Sequence, residues 1–135
     1  MKRPKLDKIE FDAAVERAKL SGPESDIIEY IRYNGIFDEL SLRKALSLPS
    51  KPPALYLLNK TCEKIAIHLP IISSKLFEWS AFQNPDHITW KGNLVCSIGF
   101  NCDGDRLEPE SGTVLYHTFV VHKELLPQSF LYLQL

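Results

Sequence analysis

Residues 24–69 read ESDIIEYIRYNGIFDELSLRKALSLPSKPPALYLLNKTCEKIAIHL, and this stretch decides the fold of the N-terminal half of the chain. Apolar residues recur within it every three or four positions in three separate runs, a spacing that places them on one face of an α-helix. Turn-forming residues separate the runs, since Asn34-Gly35 follows the first and Pro49 follows the second. The stretch therefore predicts three short amphipathic helices joined by turns.

Capping residues set the expected start of the first two helices. Ser25 is predicted to cap a helix over residues 26–33, and Asp38 is predicted to cap a helix over residues 39–48. Side-chain oxygens of Ser and Asp accept hydrogen bonds from the free N–H groups at a helix start. Gly35 suits the end of the first of these helices, because glycine tolerates the left-handed conformation.

The same reasoning predicts one helix upstream and one downstream. Apolar spacing indicates a helix from Leu6 to Leu20, ended by the Ser-Gly-Pro sequence at residues 21–23. Ser50 is predicted to cap a helix over residues 53–64, where proline is tolerated in the first turn because its missing N–H is not needed.

Beyond residue 64 the pattern changes to alternation, which favours β-strands. The first two predicted strands form a hairpin, and a tight turn over residues 90–93 joins the next two. The predicted strands are residues 65–69, 74–82, 87–91, 93–101 and 113–122. We therefore expect an α+β protein in which a helical module, residues 1–69, forms one compact unit with an antiparallel β-rich extension, residues 70–135.

The helical part resembles winged helix-turn-helix domains. In that superfamily an apolar helix ends in Asn-Gly or similar, a second ends in Ala-Leu-x-Leu, and a third contains Leu-Asn-Lys before a short strand. Residues 45–48 and 58–60 match the last two features. The chain departs from the pattern in its double proline, in an apparent insertion before the third helix, and in Ala66, where glycine is commoner.

This resemblance implies a function as well as a fold. In winged-helix domains the third helix enters the major groove with its N-terminal residues at base edges, while a wing contacts the neighbouring backbone. The residues that occupy those positions here are Ser50, Lys51, Tyr56 and Lys60. The resemblance thus implies a regulatory protein that binds double-stranded DNA.

The charge distribution supports a second hypothesis. Residues 1–68 hold 12 Lys and Arg against 10 Asp and Glu, whereas residues 69–135 hold 4 against 7. The acidic half suggests a protein-binding module, such as a small immunity, inhibitor or antitoxin-like protein that masks a partner. The residues that would contact such a partner are Asp103, Asp105, Glu108 and Glu110.

Two possible metal sites are weaker than these hypotheses. Cys96, Cys102, His117 and His122 are residue types that bind zinc, but their spacing lacks the close Cys-x2-Cys pair of common zinc sites. The acidic residues between positions 103 and 110 are hard-cation ligands, yet they lack the order of an EF-hand loop. We expect no metal and no cofactor.

No motif of a known catalytic site is present, so the sequence predicts that the protein is not an enzyme. Trp79, Phe82 and Trp90 flank a predicted turn and would form a binding platform if they were exposed together, although buried packing is the ordinary role of such residues. The three cysteines and the absence of a signal-peptide pattern favour a cytoplasmic protein with reduced thiols and no membrane association. The sequence also allows the protein to form a homodimer.

Overall fold

The computed structural model describes residues 2–83, 90–106 and 118–127, in which five α-helices precede most of a small antiparallel sheet. The helices are α1 (Lys8–Ala18), α2 (Gly22–Asn34), α3 (Glu39–Ala45), α4 (Ala54–Ala66) and α5 (Pro70–Gln83). The strands are β1 (Ile36–Phe37), β2 (Cys96–Ser97) and β3 (Phe119–Val121), and 3-10 helices cover Lys91–Leu94 and Lys123–Leu125. The protein is of the α+β class, as its sequence predicts.

The junction between α1 and α2 differs from the prediction. Lys19 closes α1 in the left-handed conformation, with φ 50°. The Ser21 hydroxyl then accepts a hydrogen bond from the Glu24 amide at 3.4 Å, while the Glu24 carboxylate accepts one from the Ser21 amide at 2.9 Å. This reciprocal capping box starts α2 at Gly22. The prediction that Ser25 caps this helix is wrong. Gly22 and Pro23, which are expected from the sequence to separate the helices, form the first turn of α2.

The turn between α2 and α3 agrees with the prediction. Gly35 ends α2 with φ 75°, and the Asp38 carboxylate starts α3 by accepting a hydrogen bond from the Ser41 amide at 2.7 Å. However, α3 ends at Ala45 and does not reach residue 48. The chain turns there because Ser47 adopts a left-handed conformation, with φ 53°.

The start of α4 also differs from the prediction. Its N-cap residue is Pro53, which has no side-chain group that accepts a hydrogen bond. The Glu39 carboxylate of α3 instead accepts hydrogen bonds from the amides of Ala54 and Leu55, at 2.6 and 2.8 Å. Ser50 is exposed in the preceding loop. The prediction that Ser50 caps the helix is therefore wrong.

Helical structure replaces the hairpin predicted over residues 65–82. The chain continues in α4 to Ala66, turns, and starts α5 at Pro70. Leu76 and Trp79 are buried from one side of α5, and the Trp79 ring lies 4.9 Å from the ring of Phe100. Contacts with residues distant in sequence thus favour a helix where local alternation predicts strands.

The sheet joins the two halves of the chain. Its strand order is β1-β3-β2, and both pairs are antiparallel. Phe37 of β1 lies opposite Phe119 of β3, and their rings stack with centroids 5.2 Å apart. Because β1 lies between α2 and α3, the sheet anchors the helical part to the C-terminal part.

A 3-10 helix occupies the position of the tight turn predicted over residues 90–93, so that prediction is wrong. A Cβ atom at Gly92 would overlap the indole ring of Trp90, so glycine alone allows this ring to fold over the turn. The Trp90 indole N–H donates a hydrogen bond to the Leu55 carbonyl at 3.2 Å. The turn is thereby attached to α4.

The predicted C-terminal strands are shorter in the structure. Of residues 93–101, only Cys96 and Ser97 pair within a strand, while Phe100 forms an isolated bridge with Arg106. β3 confirms part of the strand predicted over 113–122. Residues 87–89 and 113–117 lie outside the described residues.

A buried ion pair connects the two ends of the described chain. The Arg3 guanidinium donates hydrogen bonds to both carboxylate oxygens of Glu124, at 2.6 and 2.8 Å, and to the Cys102 carbonyl at 3.0 Å. The side chains of Arg3 and Glu124 are 1% and 17% exposed. Burial alone would raise the pKa of Glu124, but the hydrogen bonds and charge of Arg3 hold that pKa below its ordinary value.

α4 lies in the middle of the molecule and contacts α1, α2, α3 and the 3-10 helix at Lys91–Leu94. Its buried side chains include Leu58, Cys62 and Ile65, whose spacing places them on one face. None of the described helices is both long enough and apolar enough to cross a lipid bilayer.

Candidate nucleic-acid interface

The outward face of α4 carries an aromatic residue and a cation. Tyr56 is 50% exposed, and Lys60 lies one turn further along the helix. The Lys60 Nζ atom is 5.5 Å from the centroid of the Tyr56 ring, within the range of a cation–π interaction. Leu58 and Cys62 point to the opposite, buried side of the helix.

Lys60 also has a weak ion-pair partner. Its Nζ atom lies 3.6 Å from a carboxylate oxygen of Glu63, and both side chains are nearly half exposed. Ion pairs of this kind contribute about 0–1 kcal/mol, because water and salt screen them. Exchange of the Glu63 carboxylate for a phosphate therefore has a small energetic penalty.

The structure places all four predicted DNA-contacting residues at the surface. Tyr56 and Lys60 contact each other on α4, while Ser50 and Lys51 are exposed in the loop that enters the same helix. We call Ser50, Lys51, Tyr56 and Lys60 the α4 surface. The sequence predicts these positions, although Ser50 lies there as a loop residue and not as a helix cap.

Two basic residues of α3, the helix that precedes this surface and contacts α4, were missed by sequence reasoning. Arg43 and Lys44 lie in the last turn of α3, and neither forms an ion pair with another described residue. Adjacent basic residues in the second predicted helix were the signal that could have found them. Lys64 differs from them, because it binds the buried carboxylate of Glu24 at 2.7 Å.

The N-terminus of α4 is occupied by protein. The Glu39 carboxylate accepts hydrogen bonds from the amides of Ala54 and Leu55, and it places a negative charge at the positive end of the helix dipole. Helix N-termini with free N–H groups bind phosphates readily, and this one has a carboxylate in that place. Any anion on the α4 surface must therefore be bound by side chains such as Lys51 and Lys60.

Only one residue of the Leu58-Asn59-Lys60 sequence is available to a ligand. Leu58 is buried in the core. The Asn59 side-chain carbonyl accepts a hydrogen bond from the Lys91 amide at 2.6 Å, which holds the 3-10 helix against α4. Lys60 is exposed, so the sequence match consists of two structural residues and one candidate contact.

The connection between β2 and β3, of which residues 107–117 lie outside the described residues, has a charge that is unfavourable for phosphate. Residues 98–118 contain one basic residue, Arg106, against four acidic residues. The Arg106 guanidinium donates a hydrogen bond to the Gln83 side chain at 2.8 Å and lies 5.4 Å from the centroid of the Phe100 ring. Electrostatic repulsion therefore disfavours contact between this connection and a nucleic-acid backbone.

The predicted protein-binding residues are only partly described. Asp103 and Asp105 are exposed, and the side-chain carbonyl of Asn101 accepts hydrogen bonds from both of their amides, at 3.0 and 2.9 Å. The Asp103 carboxylate forms an ion pair with Lys123 at 3.0 Å. The other two predicted residues, Glu108 and Glu110, lie outside the described residues.

The possible zinc ligands serve structural roles where they are described. The Cys96 thiol and the His122 ring are buried, and each hydrogen-bonds to a backbone carbonyl, at 3.3 and 3.1 Å. Cys102 is partly exposed, and His117 lies outside the described residues. Within residues 2–83, 90–106 and 118–127, no three His, Cys, Asp or Glu side chains converge to hold a metal ion.

The aromatic residues do not form a shared platform. Trp79 is buried, Trp90 is partly buried against Phe119 with ring centroids 4.8 Å apart, and Phe82 is exposed. Two of the three thus pack within the protein, and only Phe82 remains available for binding.

Comparison of the chain with protein-family models, with curated proteins and with solved structures finds no match.

Proposed function

We propose that this protein binds double-stranded DNA through the α4 surface and acts as a regulator of winged-helix type. The observation that carries the proposal is the contact between Tyr56 and Lys60 on the outward face of α4. The opposite face of the helix is fixed against other helices. A helix supported in this way suits the major groove, in which side chains near the helix N-terminus read base edges.

The order of the elements supports the proposal. α2, β1, α3 and α4 are followed by an antiparallel pair, β2 and β3, and β1 lies against β3. The resemblance places a short strand after the third helix, and β2 is the first strand that follows α4. The segment containing α5 and the following 3-10 helix is an addition between α4 and β2.

The charges favour phosphate contacts on the helical side. Four basic residues lie on α3, on α4 or in the loop between them: Arg43, Lys44, Lys51 and Lys60. Glu39, an acidic residue of α3, already accepts hydrogen bonds from the backbone of α4. The connection between β2 and β3 is acidic. We therefore depart from the resemblance at one point: the connection between β2 and β3, which would correspond to the wing, makes no contact with the DNA backbone in this proposal.

Charge reversal on the α4 surface tests the proposal. Binding of a labelled mixed-sequence duplex by Lys51→Glu/Lys60→Glu, followed by fluorescence anisotropy, should be weaker than wild-type binding by roughly tenfold or more. The matched control, Lys2→Glu/Lys8→Glu, changes the net charge equally at exposed positions elsewhere and should alter the affinity by less than about threefold. Equal losses in both variants, with folding verified by circular dichroism, would contradict the assigned surface.

The alternative function is a protein-binding module that uses the acidic C-terminal half. The exposure of Asp103 and Asp105 favours it. A lack of DNA binding even at low salt would favour this alternative. A complex with a basic protein that survives replacement of Asp103, Asp105, Glu108 and Glu110 by their amides would exclude this surface.

The proposal includes a cytoplasmic, non-catalytic protein with reduced cysteines. Cys62 and Cys96 are buried, and burial raises the pKa of both thiols. Neutral, inaccessible thiols are poor nucleophiles, so both residues fit a packing role.

A further inference from the structure

α5 has an unusual distribution of side chains between its two faces. Ser73 and Ser80 are buried with Leu76 and Trp79, whereas Ile71 and Phe82 are 73% and 67% exposed. A helix that only needs to pack on its own core gains nothing from large apolar residues on its solvent side. Ile71 and Phe82 lie at the two ends of α5, and the charged residues Lys75 and Glu78 lie between them on the same exposed side.

The exposed residues form a single line along the helix. Ile71, Lys75, Glu78 and Phe82 are all exposed, and their spacing of four, three and four positions is that of the a and d positions in a coiled coil. We call these four residues the α5 seam. Viewed along the helix axis, the four positions lie on nearly the same side, so one partner helix can contact all four residues.

The α5 seam is complementary to itself when it is reversed. Ile71 and Phe82 are equally distant from the point between residues 76 and 77, and so are Lys75 and Glu78. A two-fold axis through that point would pair each Ile71 with Phe82 of a second copy, and each Lys75 with Glu78 of that copy. This is the isologous geometry of a symmetric dimer.

We propose that two copies of this protein associate through antiparallel pairing of their α5 helices. The partner is a second copy because apolar residues meet apolar residues and opposite charges meet in that arrangement. Within the described residues, neither Lys75 nor Glu78 has an ion-pair partner, so both charges are available. The inference rests on α5 alone and does not depend on DNA binding.

The dimensions of the surface set the expected strength. A helix of 14 residues is about 21 Å long, and stable interfaces bury roughly 1,200–2,000 Å² in total. One helix pair lies at the low end of that range. The exposed neighbours Ser74 and Ala81 are small and allow the helices to approach closely. We expect a reversible dimer with a dissociation constant on the order of micromolar.

Sedimentation velocity of the full chain over a concentration series tests the proposal. Wild type should dimerise, and Glu78→Lys should weaken the dimer by roughly tenfold or more, because lysine then faces lysine across the axis. Lys75→Glu should have a similar effect. The swapped variant Lys75→Glu/Glu78→Lys restores both pairs and should return the dissociation constant to within about threefold of wild type.

Mixing the two single variants gives a further test. Glu78→Lys and Lys75→Glu should each be largely monomeric alone and should form a heterodimer when mixed, since their seams carry opposite charges. All changed positions are exposed, and circular dichroism melts verify that the variants fold. A monomeric wild type at high concentration, or a dimer that these variants and the swap leave unchanged, would overturn the proposal. If the protein dimerises but the substitutions in α5 do not change the dissociation constant, the dimer forms through another surface.

Discussion

The Glu39 carboxylate lies 2.6 Å from the Ala54 amide nitrogen, so a side chain in the first turn of α3 caps the first turn of α4. A second hydrogen bond, from the Leu55 amide to the same carboxylate, fixes the two helices relative to each other. This contact determines the position of the α4 surface relative to Arg43 and Lys44, although Glu39 itself is the wrong charge for a DNA-binding residue.

We predict that Glu39→Ala lowers the free energy of unfolding by about 1–3 kcal/mol, because two amide groups at the start of α4 lose their acceptor. DNA affinity should fall as well. A purely electrostatic view predicts the opposite, since the substitution removes a negative charge. Urea unfolding and anisotropy on the same variant measure both effects, and tighter DNA binding would show that the cap does not organise the surface.

We predict that acid destabilises the protein through His122. Burial, together with the nearby charge of Arg3, lowers the pKa of His122 from 6.5 to about 3. The unfolded chain therefore binds a proton below about pH 6.5 that the folded protein excludes, and stability falls as the pH decreases towards 3. By pH 5 the loss from this residue amounts to about 2 kcal/mol.

His122→Gln should flatten this part of the stability profile. Glutamine remains neutral and can donate a hydrogen bond to the Asn93 carbonyl, which the histidine ring contacts at 3.1 Å. His68→Gln at a partly exposed position is the control. Urea unfolding at several pH values between 7 and 4 measures the slope, and equal slopes in wild type and His122→Gln would contradict the assignment.

The ion pair between Arg3 and Glu124 should connect the N-terminal segment to the C-terminal part. We predict that Arg3→Met lowers stability by roughly 3–5 kcal/mol, since a largely buried carboxylate loses its charged partner. The contribution of Glu124 is present above its ordinary pKa of 4.5 and is lost as the pH falls through the lowered pKa.

A double-mutant cycle measures this coupling. The variant Arg3→Met/Glu124→Gln should be less destabilised than the two single variants together, because it leaves no unpaired charge. Unfolding energies that simply add would show that the two side chains do not interact in solution.

Gly92→Ala should be destabilising because a methyl group has no space beside Trp90. Displacement of the indole would break its hydrogen bond to the Leu55 carbonyl and loosen the 3-10 helix from α4. We expect a loss of about 1–3 kcal/mol, the range for overpacked sites. Gly22→Ala is the matched control, since a Cβ atom there meets nothing within 4 Å. A thermal melt that shifts equally in both variants would contradict the steric explanation.

Local signals predict the parts of the fold that depend on near neighbours. Gly35 and Asp38 act within their own turn, so the sequence predicts the roles of both residues. The start of α2 was missed although Ser21 and Glu24 form the S-x-x-E pattern of a capping box, a signal present in the sequence. Local alternation predicts strands over α5, whereas in the structure Trp79 of this helix is buried and packs against Phe100, a contact that the local pattern does not reveal.

In the candidate site, too, the sequence predicts features that depend on near neighbours and not the contacts between distant residues. The exposure of Tyr56 and Lys60 follows from the helical period of α4, and sequence reasoning identified both residues. The roles of Glu39 and Asn59 depend on partners 15 and 32 positions away, and a periodic pattern does not reveal such contacts. Lys64 occupies a helix position similar to that of Lys60, but its pairing with Glu24 becomes visible only in the folded structure.

The salt dependence of DNA binding tests the central claim most directly. Each phosphate that a lysine neutralises contributes about 0.9 to the slope of log affinity against log salt concentration. Wild type should bind a mixed-sequence duplex at low salt and weaken steeply as salt increases, and Lys51→Gln/Lys60→Gln should reduce the slope by about 2. No binding at low salt, or a slope that this substitution leaves unchanged, would contradict DNA binding through the α4 surface.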